Sequence, residues 1–215
     1  MKKFLCILLS VLLTMSLWAC SGDEDVRGEI TTDPTDPQFS LGTTANNTYK
    51  NDYLGLSCTL PSNWVFFTDE EIRALNNIAS EMAGEEFQEA LEKAEIIYDM
   101  YASAQSGLYT VNVNLEKINI LQAATVNLKT VLEGQTSALK TALENMGCSN
   151  IQIQYQKITV DGKEYDSLVI TANIMGVPLY ETLFCFIKGS YIANIGVCTL
   201  QTDDTAEILD CFTIS

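Results

Sequence analysis

The chain contains no histidine, which excludes Ser-His-Asp and Cys-His nucleophile activation together with every His-ligated metal site. It also lacks a glycine-rich phosphate loop, a CxxC pair and an EF-hand loop. Carboxylates and thiols are what remains. Glu85, Glu89 and Glu92 recur at i, i+4 and i+7, a spacing that puts three acids on one helix face and could gather a cation. Against this, Glu89 can pair with Lys93, and acids in a first turn complement the helix dipole, so a solvated face is the favoured reading. Glu181 and Asn194 are the sharper candidates, as polar groups on an otherwise apolar strand face that could line a small-molecule pocket. No residue is assigned a catalytic role, and neither a metal nor a cofactor is expected.

Whether Glu181 and Asn194 share a face depends on strand register, which two-residue turns fix. An Asp161-Gly162 turn sets Tyr155 against Leu168, Ile153 against Ile170 and Ile151 against Ala172, three apolar pairs on one face. Gly176-Val177 as the next turn sets Ile170 against Leu183 and Leu168 against Cys185. A Gly189-Ser190 turn then sets Cys185 against Asn194, Leu183 against Gly196 and Cys198 against Glu181. The expectation is a four-stranded antiparallel meander. Its last strands are apolar on the opposite face too, through Phe184, Phe186, Ala193, Ile195 and Val197, so both sides of the sheet require cover.

The elements upstream supply that cover. Residues 53–60 alternate as a half-buried strand, Pro61-Ser62-Asn63 breaks it, and residues 64–67 form a short second strand. Thr68 with Glu71 is a capping box opening a helix to about Met82. A second amphipathic stripe runs through Phe87, Ala90, Leu91, Ala94 and Ile97. Residues 98–104 and 108–117 flank Ser106-Gly107 as a hairpin, with Val111, Val113 and Leu115 inward and Asn112 and Asn114 outward. A long helix is expected over about 121–146, with a kink at Gly134 and its C-terminal cap at Gly147. Asp203 or Asp204 caps a terminal helix burying Ile208, Leu209 and Phe212. The expected fold is α+β, a three-layer α/β/α sandwich around an antiparallel sheet.

The opening motif Tyr49-x3-Tyr53-Leu54-Gly55-Leu56-x3-Leu60-Pro61-x2-Trp64, followed by this order of elements, resembles PsbP-type domains. The resemblance implies an α/β/α sandwich serving as a noncatalytic accessory or binding module, and it carries over no functional residue.

The N-terminus gives an address. Lys2 and Lys3 precede an apolar run from Phe4 to Trp18 that ends in Ser21-Gly22-Asp23-Glu24-Asp25, which is the pattern of a secretory leader and is too short for a spanning helix. Leu17-Trp18-Ala19-Cys20 resembles the lipobox of bacterial lipoproteins. That resemblance implies removal of residues 1–19, acylation of Cys20 with diacylglycerol and palmitate, and an anchor on the extracytoplasmic face of the cell membrane. Residues 20–48 read as a flexible acidic tether spanning roughly 30 Å, and 49–215 as a single domain. The formal net charge of −16 disfavours nucleic acid and anionic lipid headgroups. Beyond Cys20, five cysteines stay in the mature chain, Cys58, Cys148, Cys185, Cys198 and Cys211. An odd number cannot close a disulfide framework. Cys185 and Cys198 lie about 13 Å apart in the expected register, beyond the roughly 7 Å a disulfide allows.

Together these observations lead to a membrane-anchored accessory module with an envelope protein as partner. A small-ligand or cation receptor using Glu181 and Asn194 is the alternative, and a carboxylate- or thiol-based enzyme the third.

Overall fold

The computed structural model describes residue 36 and residues 38–83, 96–118 and 123–215. These form an α+β fold with two antiparallel sheets. The smaller sheet has the order β1-β2-β3-β11, from β1 (Thr43–Ala45), β2 (Thr48–Asn51), β3 (Leu56–Thr59) and β11 (Phe212–Ile214). The larger has seven strands in the order β4-β5-β6-β10-β9-β8-β7. They are β4 (Trp64–Phe66), β5 (Ile96–Ala104), β6 (Tyr109–Lys117), β7 (Cys148–Val160), β8 (Lys163–Ile174), β9 (Val177–Lys188) and β10 (Tyr191–Leu200). The helices among the described residues are α1 (Asp69–Ala83), α2 (Leu128–Asn145) and the short α3 (Thr205–Leu209).

The expected meander is present. The Asp161-Gly162 turn has both residues at positive φ (48° and 73°), the requirement of a type I′ hairpin, and it pairs Tyr155 with Leu168 and Ile153 with Ile170. The third pair, Ile151 with Ala172, is displaced by a bulge between Ser149 and Gln152, where Asn150 takes a φ of 53°. The turn between β8 and β9 is Met175-Gly176, not Gly176-Val177. Leu168 therefore faces Leu183, and Ile170 faces Glu181. Met175 adopts the left-handed φ of 51°, and in return Ile174 pairs with Val177 and lengthens the ladder. The final hairpin has the expected register, with Asn194 opposite Cys185 and Cys198 opposite Glu181.

Two cores hold the sheet from its two sides. On one side α1 contributes Ile72 and Leu75, and α2 contributes Leu132, Leu139, Ala142 and Leu143, packed on Leu168, Ile170, Leu183 and Ile192. The capping box forms as expected: Thr68 N–H donates to Glu71 Oε2 at 2.8 Å, and Glu71 N–H donates to Thr68 Oγ1 at 3.3 Å. Those bonds hold the Glu71 carboxyl below its ordinary range. Helix α2 begins at Leu128, capped by Asn127, whose Oδ1 accepts from Thr130 N–H at 3.1 Å. That cap places the start seven residues beyond the expected one. The helix continues through Gly134 and ends before Gly147 at φ 85°.

On the other side the cover among the described residues is the small sheet with α3, where a helical layer was expected. Tyr49, Leu54, Leu56, Cys58, Ile208 and Phe212 meet Val111, Val113, Leu115, Ile195 and Val197 there. Phe212 lies in β11 rather than in the terminal helix and pairs with Cys58. Asp203, not Asp204, bonds the start of α3, its Oδ1 accepting from Thr205 N–H at 3.3 Å and Thr205 Oγ1 at 2.7 Å. The second amphipathic stripe falls mostly on residues 84–95, outside the described residues, and its last member Ile97 is in β5.

Part of the expected tether belongs to the fold. Phe39 is buried, stacked on Tyr191 at a centroid distance of 4.5 Å, and Asp36 Oδ2 accepts from the Tyr53 hydroxyl at 2.6 Å. A second clamp centres on Asp99, at the bulge in β5. Its carboxylate accepts from Gly42 N–H at 2.7 Å, Asn51 Nδ2 at 2.6 Å and the Tyr49 hydroxyl. Gly42 leaves no space for a Cβ against the Tyr49 ring and Asp99. Residues 20–35 lie outside the described residues.

Burial raises the Asp99 carboxyl above its ordinary value, outweighing the three donors that favour its ionised form. With the folded pKa above the unfolded one, the native state holds a proton that the unfolded chain has released. From about pH 4 upward, through the raised pKa, this residue makes stability fall as pH rises. Urea midpoints of wild type and Asp99→Asn measured against pH should show that falling contribution in the wild type alone. Parallel curves would contradict it.

Candidate functional site

The sequence candidates are separated by the fold. Glu181 on β9 is fully buried between Ile170 and Cys198, while Asn194 on β10 faces Cys185 and Asn114. Both point to the side of the sheet covered by α1 and α2. Four residues separate Cys198 from Asn194 along β10, about 13 Å at strand rise. The two do not form one cluster. Cys20, Glu85, Glu89 and Glu92 lie outside the described residues.

Asn194 instead belongs to a polar row contributed mainly by β6. Thr110, Asn112, Asn114 and Glu116 alternate on the helix-covered face of β6, opposite Cys198, Gly196, Asn194 and Ile192 of β10. All four are buried, which corrects the outward placement expected for Asn112 and Asn114. Alternation within the hairpin correctly separates them from Val111, Val113 and Leu115, but both faces of β6 are covered. Asn114 Nδ2 donates to Asn112 Oδ1 at 2.9 Å. A Cβ on Gly196 would come within 3.1 Å of both the Oδ1 and Nδ2 of Asn112, so this glycine makes room for the amide. Tyr98 and Tyr101 of β5 sit opposite Asn114 and Asn112. Within this buried row the two amides bond each other, and a buried polar pair of this kind favours the strand pairing that keeps both members satisfied.

The thiols are deep. Cys58, Cys148, Cys185 and Cys198 are buried and Cys211 is half-buried, with no disulfide among them. Burial pushes Cys148 up to about 11, helped by the charge of Glu181. It pushes Cys185 up to about 12, helped by Asp166 and Glu116, and it raises Cys58 as well. A nucleophilic thiol needs the opposite shift. These side chains act as small apolar fillers.

An accessible depression lies at the β7–β8–β9 end of the large sheet. Gln152 of β7, Thr171 of β8 and Tyr180 of β9 stand side by side across three strands, with Asn173 opposite Pro178 beside them. With Asn150 they line an open depression of about 370 Å³. Its side chains carry no charge, in a protein with a formal net charge of −16. The chemistry offered is amide and hydroxyl hydrogen bonding next to one aromatic ring. Sequence patterning shows Gln152, Gln154 and Gln156 as the outward positions of a strand. The neighbours that complete the depression depend on the β8–β9 register.

No family model matches the chain, and no curated protein matches it in sequence. Among solved structures it is similar to LpqN of Mycobacterium tuberculosis, described as involved in cell envelope biogenesis. That likeness has 11% identity and a TM-score of 0.38, over 74% of this chain and 83% of that one. A protein from Bacteroides thetaiotaomicron VPI-5482 is similar at 10% identity and a TM-score of 0.36, over 79% of this chain and 48% of that one. Neither likeness carries a functional assignment. No helix among the described residues is long and apolar enough to cross a membrane.

The contact between Gly196 and Asn112 yields a double-mutant test. Gly196→Ala forces the Asn112 amide to move and should destabilise the fold by about 1–3 kcal/mol, the usual range for overpacking. In an Asn112→Ala background the same change should cost measurably less, read from urea midpoints. Equal costs in the two backgrounds would mean that the amide does not occupy the space above Gly196.

Proposed function

We propose that this protein is a lipid-anchored accessory module of the bacterial envelope, held on the extracytoplasmic face of the membrane through acylated Cys20. In this reading it acts without catalysis, by binding a partner protein at the uncharged end of its large sheet. The row Gln152, Thr171 and Tyr180 carries the binding part of this reading. Neutral hydrogen-bonding groups around an aromatic ring are suited to docking, since they avoid the desolvation cost that a charged surface imposes. The leader and the Leu17-Trp18-Ala19-Cys20 motif carry the address. A stable anchor needs more than one chain, because a single acyl chain binds reversibly. The resemblance of the Tyr49 to Trp64 motif to PsbP-type domains agrees with an accessory role.

A second reading is favoured by the volume of the depression, about 370 Å³, which falls in the range of small-ligand sites. In that case the binding groups are those of the depression, not Glu181 and Asn194, whose side chains are buried. A ligand at about 100 times its dissociation constant would add roughly 2.7 kcal/mol to stability, which separates this reading from protein docking in a thermal-shift series with envelope metabolites.

Mass spectrometry of the membrane-extracted protein should find an N-terminal, acylated Cys20, and Cys20→Ser should leave the membrane fraction. Crosslinking in intact cells should capture a partner that is lost with Tyr180→Ala. A bare thiol at position 20, or capture indifferent to Tyr180, would overturn the corresponding half of the proposal.

A further inference from the structure

The two edges of the large sheet are unlike. β4 has 3 residues, whereas β7 has 13. Among the described residues β7 ladders with β8 alone. A long open edge presents a row of backbone donors and acceptors, and proteins usually blunt such edges with proline, charge or a bulge. β7 carries little of this protection. It has no proline, glycine or acidic residue, and its one charge, Lys157, is paired with Asp166 at 3.5 Å. Its bulge is confined to the segment before Gln152, leaving Gln152–Val160 regular. Gln152, Gln154 and Gln156 are exposed on one face.

Charge leaves this edge open to a second copy. Two chains of net charge −16 repel at most approaches, but the neighbourhood of this edge is balanced. α2, which packs over β7, pairs Lys129 with Glu133 and Lys140 with Glu144. In β7 and β8, Lys157 and Lys163 offset Glu164 and Asp166. Counted with Asp161 in the turn between the strands, this neighbourhood carries a net charge of only −1, because it holds four of the chain's twelve basic residues. We propose that β7 is a homodimerisation edge, pairing antiparallel with β7 of a second copy so that the two large sheets run on as one.

A two-fold axis through Gln154, the midpoint of Cys148–Val160, overlaps the strands along their whole length and keeps the regular stretch Gln152–Gln156 at its centre. It sets Gln154 against its own counterpart, Gln152 against Gln156 and Ile153 against Tyr155. The apolar and amide faces of the two strands then match, and Lys157 does not meet its own copy. An isologous contact of this kind closes at two chains. The proposal rests on the backbone edge of β7; Gln152 is shared with the depression, but Gln154 is not, so the Gln154→Cys arm tests the edge apart from the docking reading.

Cysteine crosslinking of the full chain in cells tests it, with Cys211→Ser as background to remove the half-buried thiol. A short bismaleimide should give a covalent dimer with Gln154→Cys. It should also do so when Gln152→Cys and Gln156→Cys copies are co-expressed, but not with Gln152→Cys alone, whose copies would lie roughly 13 Å apart along the strands. Val65→Cys, exposed on the opposite edge, sets the background level. Dimer from Gln154→Cys no greater than from Val65→Cys overturns the proposal. Equal dimer from Gln152→Cys alone and from the mixed pair overturns the register and the axis.

Discussion

All ten residues of β10 are buried, so the strand at the middle of the large sheet meets protein on both faces and on both edges. A sheet in that position must have two covers, and each must bring its own apolar surface. α1 and α2 provide one, and the four-stranded sheet with α3 provides the other. From this double burial follows the character of β6, the neighbour of β10. Polar residues on a strand with no access to water must be satisfied by other side chains, because a buried polar group without a hydrogen bond costs several kcal/mol. The bond from Asn114 to Asn112 answers part of that requirement on the helix-covered face, where Gly196 leaves the room that the Asn112 amide occupies.

The second cover is assembled from distant parts of the chain. β1, β2 and β3 come from the N-terminal third and β11 from the last residues, so the small sheet forms only when both ends return to the large one. Asp99 fixes one end of that contact by accepting from Gly42, Tyr49 and Asn51. At the other end Lys163 Nζ donates to the Ile214 carbonyl at 2.7 Å, and Ile214 N–H donates to Asp161 Oδ2 at 2.9 Å. The turn between β7 and β8 thereby holds β11 in place. Because Phe39 is part of this core, any leash to a membrane must end before it, which shortens the reach estimated from sequence.

Features governed by local chemistry were legible in the sequence. Asp161-Gly162 and Gly189-Ser190 announced their hairpins and fixed two registers, and Thr68 with Glu71 announced a helix start. Met175-Gly176 was missed because a methionine rarely accepts a positive φ, and the longer ladder that rewards it is invisible in the turn itself. The burial of Asn112 and Asn114 is not legible, because alternation reports which residues share a face but not whether that face meets water. The pairing of β6 with β10 and the cover by α1 and α2, which decide that, join residues far apart in the chain. Phe212 and residues 38–48 are illegible for a related reason: short strands have too little pattern of their own, and the sheet they build is closed by pairing β3 with β11 from the other end of the chain. Glu181 and Cys198 do face each other as the turn implied, yet Asn194 lies too far along β10 to join them.

If double burial of β6 and β10 governs the fold, these strands should open only when the whole domain unfolds. Native-state amide hydrogen exchange measures this directly. The amides of Val111 to Leu115 and Ile192 to Val197 should exchange at the global unfolding free energy, while the outward amides of β7 in the monomer exchange through smaller openings. Exchange of β10 amides as fast as those at the β7 edge would contradict the account.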